Sequence, residues 1–274
     1  MKKSRKIFPK IYMGILFIFF YAPIIYTVIF SFNDSKSLTK FTGFSLQWYE
    51  KMFNDRVMVE SIFNTITIAI LATIISTIIG TIAAIGLSKS KKIVKAVVEQ
   101  VNDLPIMNPE IVTAIGLLMF FTALNIEKGY GTLLIAHIMF CTPYVMLSIT
   151  PKLRSLDPNL ADAALDLGAT PWQALIKVIV PQIMPGIISG ALIAFTMSFD
   201  DFIISYFVTG NGVSNISIMV YTMSKRINPS INSLSTIIIV IITIVLILVN
   251  VIPILKERKV KNEERKHSLL NRWR

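Results

Sequence analysis

The chain has 274 residues, of which 54% are hydrophobic and only 16% charged, and its mean hydropathy is +0.66. That balance is too apolar for a soluble domain of this size and marks an integral membrane protein. The formal net charge of +11 gathers at the ends and in particular loops rather than along one amphipathic face, which fits membrane topology and speaks against a nucleic-acid partner.

A hydrocarbon core of about 30 Å needs about 20 helical residues to cross it. After a short N-terminal segment, 1–10, the first span is expected at 11–32. It continues too far for a cleaved signal peptide and has no small-residue cleavage site after it, so it is expected to be retained. The loop 33–60 carries Trp48 and Tyr49. These amphipathic aromatics suit the membrane interface, and a plain connector is the equal alternative. A second span follows at 61–87.

The third span, 97–124, contains NDLPIMNPEIV. Pro105 and Pro109 each remove a backbone donor, so a kink or break is expected, as where backbone lines a cavity. Glu110 sits directly after it. On a straight helix from Val97, it would lie about 20 Å above the inner end, close to mid-depth. The fourth span, 129–150, holds Cys141, which reads as a small buried side chain. It also holds His137; with His267 far away and no HExxH or CxxC motif, no metal site is expected.

The loop 151–180 is amphipathic and looks built for docking. Asp157 and Pro158 form an N-cap and first-turn pair, and Gly168 supplies a left-handed stop, giving a helix of about ten residues. Leu160, Ala164 and Leu167 share one face, Asp162 and Asp166 another. Thr170 and Gln173 have capping-box spacing with Pro171 at the first helical position, so a second short helix should begin at once. The alternative is an amphipathic loop resting on the membrane surface.

The fifth span, 185–208, contains MSFDDFIISYF, with two carboxylates in an apolar run. An acid at mid-bilayer costs about 2.5–3.5 kcal/mol on insertion scales, so these should face protein or water. Gly190, Ala194, Ser198, Asp201 and Ser205 make a stripe of small and polar groups, and Phe199, Phe202 and Tyr206 an aromatic stripe beside it. Counted from Pro185, Asp201 would stand about 24 Å up the helix. Residues 209–233, with Tyr221, Lys225 and Arg226, either meet a partner or simply connect. A sixth span, 235–255, and a charged tail, 256–274, complete the chain.

Lys and Arg number five before span one, four in 88–100, three in 151–180 and eight after 255, against seven in the three loops on the other side. Both termini are therefore expected in the cytoplasm. No GxxxxGK[ST] loop occurs, so any ATP that drives the protein is hydrolysed by another chain.

The loop 151–180 resembles the EAA motif of binding-protein-dependent ABC importer permeases: E-A-A, three residues, G, nine residues, I, any residue, L, P. Here Asp162, Ala163, Ala164, Gly168, Val178, Val180 and Pro181 stand at the matching spacings, with Asp for Glu and Val for Ile and Leu. WYEKMF, SIFNTITIAI, the Pro-broken third span, MSFDDFIISYFVTG and INPSINSLSTI are similar to the permeases of spermidine/putrescine importers, the PotC-type subunit in particular. The resemblance covers residues 10 to 255.

The resemblance implies an all-α polytopic protein of six transmembrane helices with the type I ABC importer (MetI-like) fold, in a bacterial cytoplasmic membrane. Its partners would be a sister permease as heterodimer, two cytoplasmic ATPases gripping the coupling loop 151–180, an extracytoplasmic polyamine-binding protein, and lipid. This chain would hold no cofactor, ATP and Mg being bound by the ATPases. Glu110 and Asp201, supported by Asp200 and the rings of Phe202 and Tyr206, would make a weak acidic path for a polyamine cation, since ammonium groups are drawn to carboxylates and aromatic faces. Alternatively, Asp200 or Asp201 caps neighbouring backbone or pairs with a base of the sister subunit. Rival functions are an importer of another solute on the same scaffold, or an ion-coupled secondary transporter using the three acids as a relay.

Overall fold

The computed structural model describes residues 7–210, 212–224, 228–244 and 247. The described residues are helical apart from loops and one isolated antiparallel bridge, Asn33 to Phe44. By packing, the chain divides into two compact units, Met1–Asp55 with Met223–Arg274, and Arg56–Thr222.

In the first unit, α1 (Ile7–Ser31) is followed by a loop folded around one side chain. Asn33, 1% exposed, donates from Nδ2 to the Ser37 and Lys40 carbonyls at 2.9 and 3.0 Å, and its Oδ1 accepts from Thr42 N at 2.8 Å. A short helix α2 (Gln47–Asn54) then packs back. Trp48 is buried and donates from Nε1 to the Asn33 carbonyl at 2.6 Å, while the Tyr49 and Ser31 hydroxyls meet at 2.7 Å. Trp48 is thus a core residue rather than an interfacial anchor, because the indole N–H finds its partner inside the protein.

The second unit is built on α3 (Arg56–Ser88), α6 (Tyr130–Arg154) and α9 (Val180–Asp200), which pack against one another. Small residues set their separation. A Cβ on Gly80 would stand 2.8 Å from Val145 Cγ1, and one on Gly190 would stand 3.1 Å from Val145 Cα. Such close approach lets helices gain packing where lipid offers no hydrophobic drive for them to associate. Leu133, Ala136, Val145, Ile149, Ile183 and Ala194 form the core between them.

The expected third span is two helices, α4 (Lys92–Met107) and α5 (Glu110–Ala123), bent by 107° at the break. Asn108 and Pro109 are extended, with ψ of 147° and 134°. A residue before proline is pushed out of the helical region, and the proline has no N–H to continue the ladder. The bend removes the straight-helix basis for Glu110's expected depth.

Between α6 and α9 lie α7 (Leu160–Asp166), α8 (Pro171–Ala174) and a π-turn, Leu175–Ile179. The first loop helix is seven residues, not ten: Asp157 Oδ1 accepts from Asn159 N at 2.9 Å, closing an Asx turn that delays the start. The second is no separate helix but the start of a continuous 30-residue helix, Pro171–Asp200. Pro181 lies just past the π-turn; a proline has no N–H to donate and its ring crowds the carbonyl four residues back, which gives the widened turn a local cause.

The expected fifth span likewise breaks, α9 ending at Asp200 and α10 (Ile203–Val208) resuming after an extended Asp201 (φ −59°, ψ 127°). The rise counted from Pro185 to Asp201 runs along unbroken helix, but that helix begins earlier, at Pro171, so Pro185 does not mark its lower end. A further helix, α11 (Ile216–Ser224), follows. Among the described residues, four helices are long and apolar enough to cross a membrane, five if the α4–α5 pair is one span. Of the expected sixth span, an apolar helix Ser230–Ile244 and residue 247 are described; the other residues of the span, the tail, and Lys225 and Arg226 lie outside the described residues.

Candidate functional site

Two places in the second unit gather the residues singled out by sequence. The first is a cleft of about 380 Å³ lined by Glu110, Phe140, Met197, Asp200, Asp201, Phe202 and Ile203. The α4–α5 break delivers Glu110, the first residue of α5. The α9–α10 break delivers both aspartates. Each acid thus stands where the backbone leaves the helix, the arrangement tolerated at membrane depth only against protein or a water-filled space.

The two aspartates point differently. Asp200, the last residue of α9, is exposed, and its carbonyl accepts from Ser217 Oγ at 3.3 Å. Asp201, 6% exposed, is turned inward. Its Oδ1 accepts from Ile204 N at 3.2 Å, and its Oδ2 from Ser205 N at 2.7 Å and Ser205 Oγ at 2.8 Å. It caps α10, satisfying backbone donors that a helix start leaves without partners.

Two residues to which the sequence assigned no part in this site, His137 and Asn215, complete the arrangement. His137 of α6 places Nδ1 2.7 Å from Ser198 Oγ and Nε2 3.0 Å from Ser205 Oγ, with Asp201 Oδ2 3.4 Å from Nε2. Asn215 donates from Nδ2 to Ser205 Oγ at 2.8 Å and to the Asp201 carbonyl at 3.2 Å, and its Oδ1 accepts from Ile218 N at 2.9 Å. One assignment satisfies every contact. Ser205 Oγ donates to Asp201 and accepts from Asn215 and from His137 Nε2–H, leaving Nδ1 to accept from Ser198. The sequence carries a signal for it, since a histidine inside an uncharged span is as informative as an acid there.

The small-residue stripe faces protein as expected: Gly190, Ala194, Ser198, Asp201 and Ser205 are all buried, although it crosses a helix break. Phe202 and Tyr206 have ring centroids 5.5 Å apart, and Tyr221 stands 4.8 Å from Phe202 and 5.9 Å from Tyr206. Tyr206 is thus joined to the cleft through Phe202.

The second place is the corner between α7 and α8. Asp162 and Ala163 are exposed and Ala164 is buried beneath them. Gly168 has φ of +86°. Its N–H donates to the Leu165 carbonyl at 2.8 Å and Ala169 N to the Ala164 carbonyl at 3.1 Å, the paired bonds of a Schellman stop. The capping box forms, Gln173 N donating to Thr170 Oγ1 at 3.3 Å and Thr170 N to Gln173 Oε1 at 3.0 Å. Leu167 and Trp172 flank the corner at 89% and 70% exposure, an apolar pair left uncovered beside a carboxylate. The helix running from this corner to Asp200 joins the two places, over about 45 Å.

Comparison with known proteins agrees with this architecture. The family of binding-protein-dependent transport system inner membrane components matches residues 76–255. The chain is 38% identical over 231 residues to the putrescine transport system permease protein PotI of Escherichia coli strain K12, covering 81% of this chain and 82% of that one. It is 34% identical over 239 residues to the spermidine/putrescine transport system permease protein PotC of Haemophilus influenzae, covering 87% and 93%. Its fold matches a subunit of a bacterial ABC transporter involved in the import of the acidic polysaccharide alginate, with a TM-score of 0.71 at 18% identity over 92% of this chain and 97% of that one.

Proposed function

This chain belongs to the inner membrane components of binding-protein-dependent transport systems, permeases whose ATP is hydrolysed by separate subunits, and from that premise we propose that its cargo is a polyamine, spermidine or putrescine, drawn past Glu110 and Asp200. The observation that carries this reading is the single cleft in which Glu110, Asp200 and Phe202 meet. The cargo class follows the permeases named for putrescine and spermidine that this chain is similar to over most of its length.

A flexible chain of ammonium groups needs attraction spread along a path and no deep trap at any point. Two exposed carboxylates and the Phe202, Tyr206 and Tyr221 rings provide that. Coulombic attraction falls as solvent enters, and each cation–π contact adds about 0.5–2 kcal/mol, so several weak stations hold a cation in turn. Asp201 shapes the path, its carboxylate being committed to α10.

The proposal extends to the assembly. A sister permease completes the path, and an extracytoplasmic polyamine-binding protein delivers cargo. Two cytoplasmic ATPases, binding ATP and Mg, seat on the corner presented by Asp162, Ala163, Leu167, Gly168 and Trp172. The Lys and Arg distribution supports placing that corner and both termini in the cytoplasm. Closure of the ATPases moves the corner, and the Pro171–Asp200 helix carries that movement to the cleft.

The test is uptake of labelled spermidine and putrescine by cells expressing the full system, in wild type and in Glu110→Gln and Asp200→Asn. Uptake should require a functional ATPase subunit and fall in both variants at unchanged permease level. Uptake that persists without the ATPase, or that is untouched in both variants, refutes the reading.

A further inference from the structure

The cargo path proposed above leaves out the most elaborate polar cluster in the second unit. His137, 1% exposed, lies inside an apolar helix, and both of its ring nitrogens are engaged. Its partners stand on opposite sides of the α9–α10 break: Ser198 in the last turn of α9, and Ser205 in α10. Asp201, between them, is 3.4 Å from Nε2. An imidazole offers two in-plane hydrogen-bonding atoms at a fixed separation, so it can clasp two segments at once and hold the angle between them.

That angle decides where the cleft residues stand. With Asp201 extended and turned inward, its neighbours Asp200 and Phe202 line the cleft. The clasp sits at the end of the 30-residue helix from Pro171 to Asp200, and π-turn aside that helix has no interruption. A rod passes displacement beyond its end only if the two sides of the break are tied; otherwise the break absorbs it. Asp201 and Asn215 strengthen the grip from the break itself and from the approach to α11; His137 ties the joint to α6, one of the three packed helices.

We infer that His137 is the positioning residue of this transporter: by bridging Ser198 and Ser205 it fixes the break at Asp201, and so sets both the stance of Asp200 and Phe202 and the transmission of movement along the Pro171–Asp200 helix to them. His137 meets no cargo. Its loss therefore changes how cargo is held and how much is carried per ATP, and leaves assembly with the ATPases intact.

The experiment uses the whole complex, permease pair with ATPases, in proteoliposomes supplied with polyamine-loaded binding protein, and reads half-saturation for cargo, maximal uptake and uptake per ATP hydrolysed. His137→Leu keeps the volume and removes the bridge. His137→Gln reaches toward Ser205 and Asp201, and His137→Asn toward Ser198, each restoring half. We expect His137→Leu to lower uptake per ATP by about tenfold and to raise half-saturation, as displacement of a positioning contact does. Gln and Asn should recover intermediate values, with ATPase co-purification at the wild-type level throughout. Wild-type half-saturation and uptake per ATP in all three variants overturns the inference, as does a loss that only follows the amount of assembled complex. The wild-type complex separates this result from the cargo reading: if it carries no polyamine, the reading fails first, whereas transport by wild type with indifferent His137 variants sinks the inference alone.

Discussion

Replacing Asp201 distinguishes a carboxylate that builds the site from one that meets cargo. In Asp201→Ala, Ile204 N and Ser205 N lose their acceptors at the start of a six-residue helix, and both lie in a buried setting. Each buried donor left without a partner costs about 1–3 kcal/mol, so the loss should total about 2–6 kcal/mol. The freed Ser205 hydroxyl can turn to another acceptor and adds little. Asp201→Asn keeps one carbonyl oxygen able to serve the shorter Ser205 N contact, and should lose about 1–3 kcal/mol, one donor's worth. Asp200→Asn, on an exposed side chain, should leave stability unchanged while lowering uptake. The assay is thermal unfolding of the purified complex in detergent or nanodiscs, paired with uptake. The order Ala, Asn, then wild type at Asp201, with Asp200→Asn indistinguishable from wild type, is the expected result. Equal stability of Asp201→Ala and wild type would refute the capping role.

Gly168→Val should cost about 1–2 kcal/mol, because a branched side chain is strained at φ of +86°, while Gly168→Asn is tolerated better; co-purification of the ATPases should fall in the first and hold in the second. Gly190→Val should destabilise by about 1–3 kcal/mol, since even its Cβ would crowd Val145, whereas Gly116→Ala, with nothing within 4 Å, should leave the unfolding temperature unchanged or raise it. Pro181→Ala removes the cause of the π-turn; closing it into an α-turn rotates the corner by about 100° relative to α9. Uptake should fall at normal membrane insertion, measured in membrane vesicles.

The helical membrane character was legible from hydropathy, and so were the devices that depend on a few adjacent residues. The Gly168 stop, the Thr170–Gln173 box and the break at Pro109 each follow from local backbone chemistry and stand in the structure, whereas Pro105 is accommodated inside α4. The break at Asp201 left no such mark, because no proline or glycine lies there. It exists because a carboxylate, two serines, an asparagine and a histidine from separate segments satisfy one another, which is a tertiary fact. The burial of Trp48 was hidden for a similar reason: its partner, the Asn33 carbonyl, becomes available only after the loop has folded around the Asn33 side chain. The acids of the cleft were recognised as unusual in sequence, but their division into one inward and two exposed carboxylates required the backbone direction on each side of the breaks.

Photolabelling tests the cargo path most directly. A polyamine carrying a diazirine, loaded on its binding protein and presented to the complete complex with ATP, is activated during turnover and its adducts are mapped by mass spectrometry. The account predicts label on peptides containing Glu110, Asp200 and Phe202, reduced by excess spermidine. Label that avoids all three while accumulating elsewhere in the permease would contradict it.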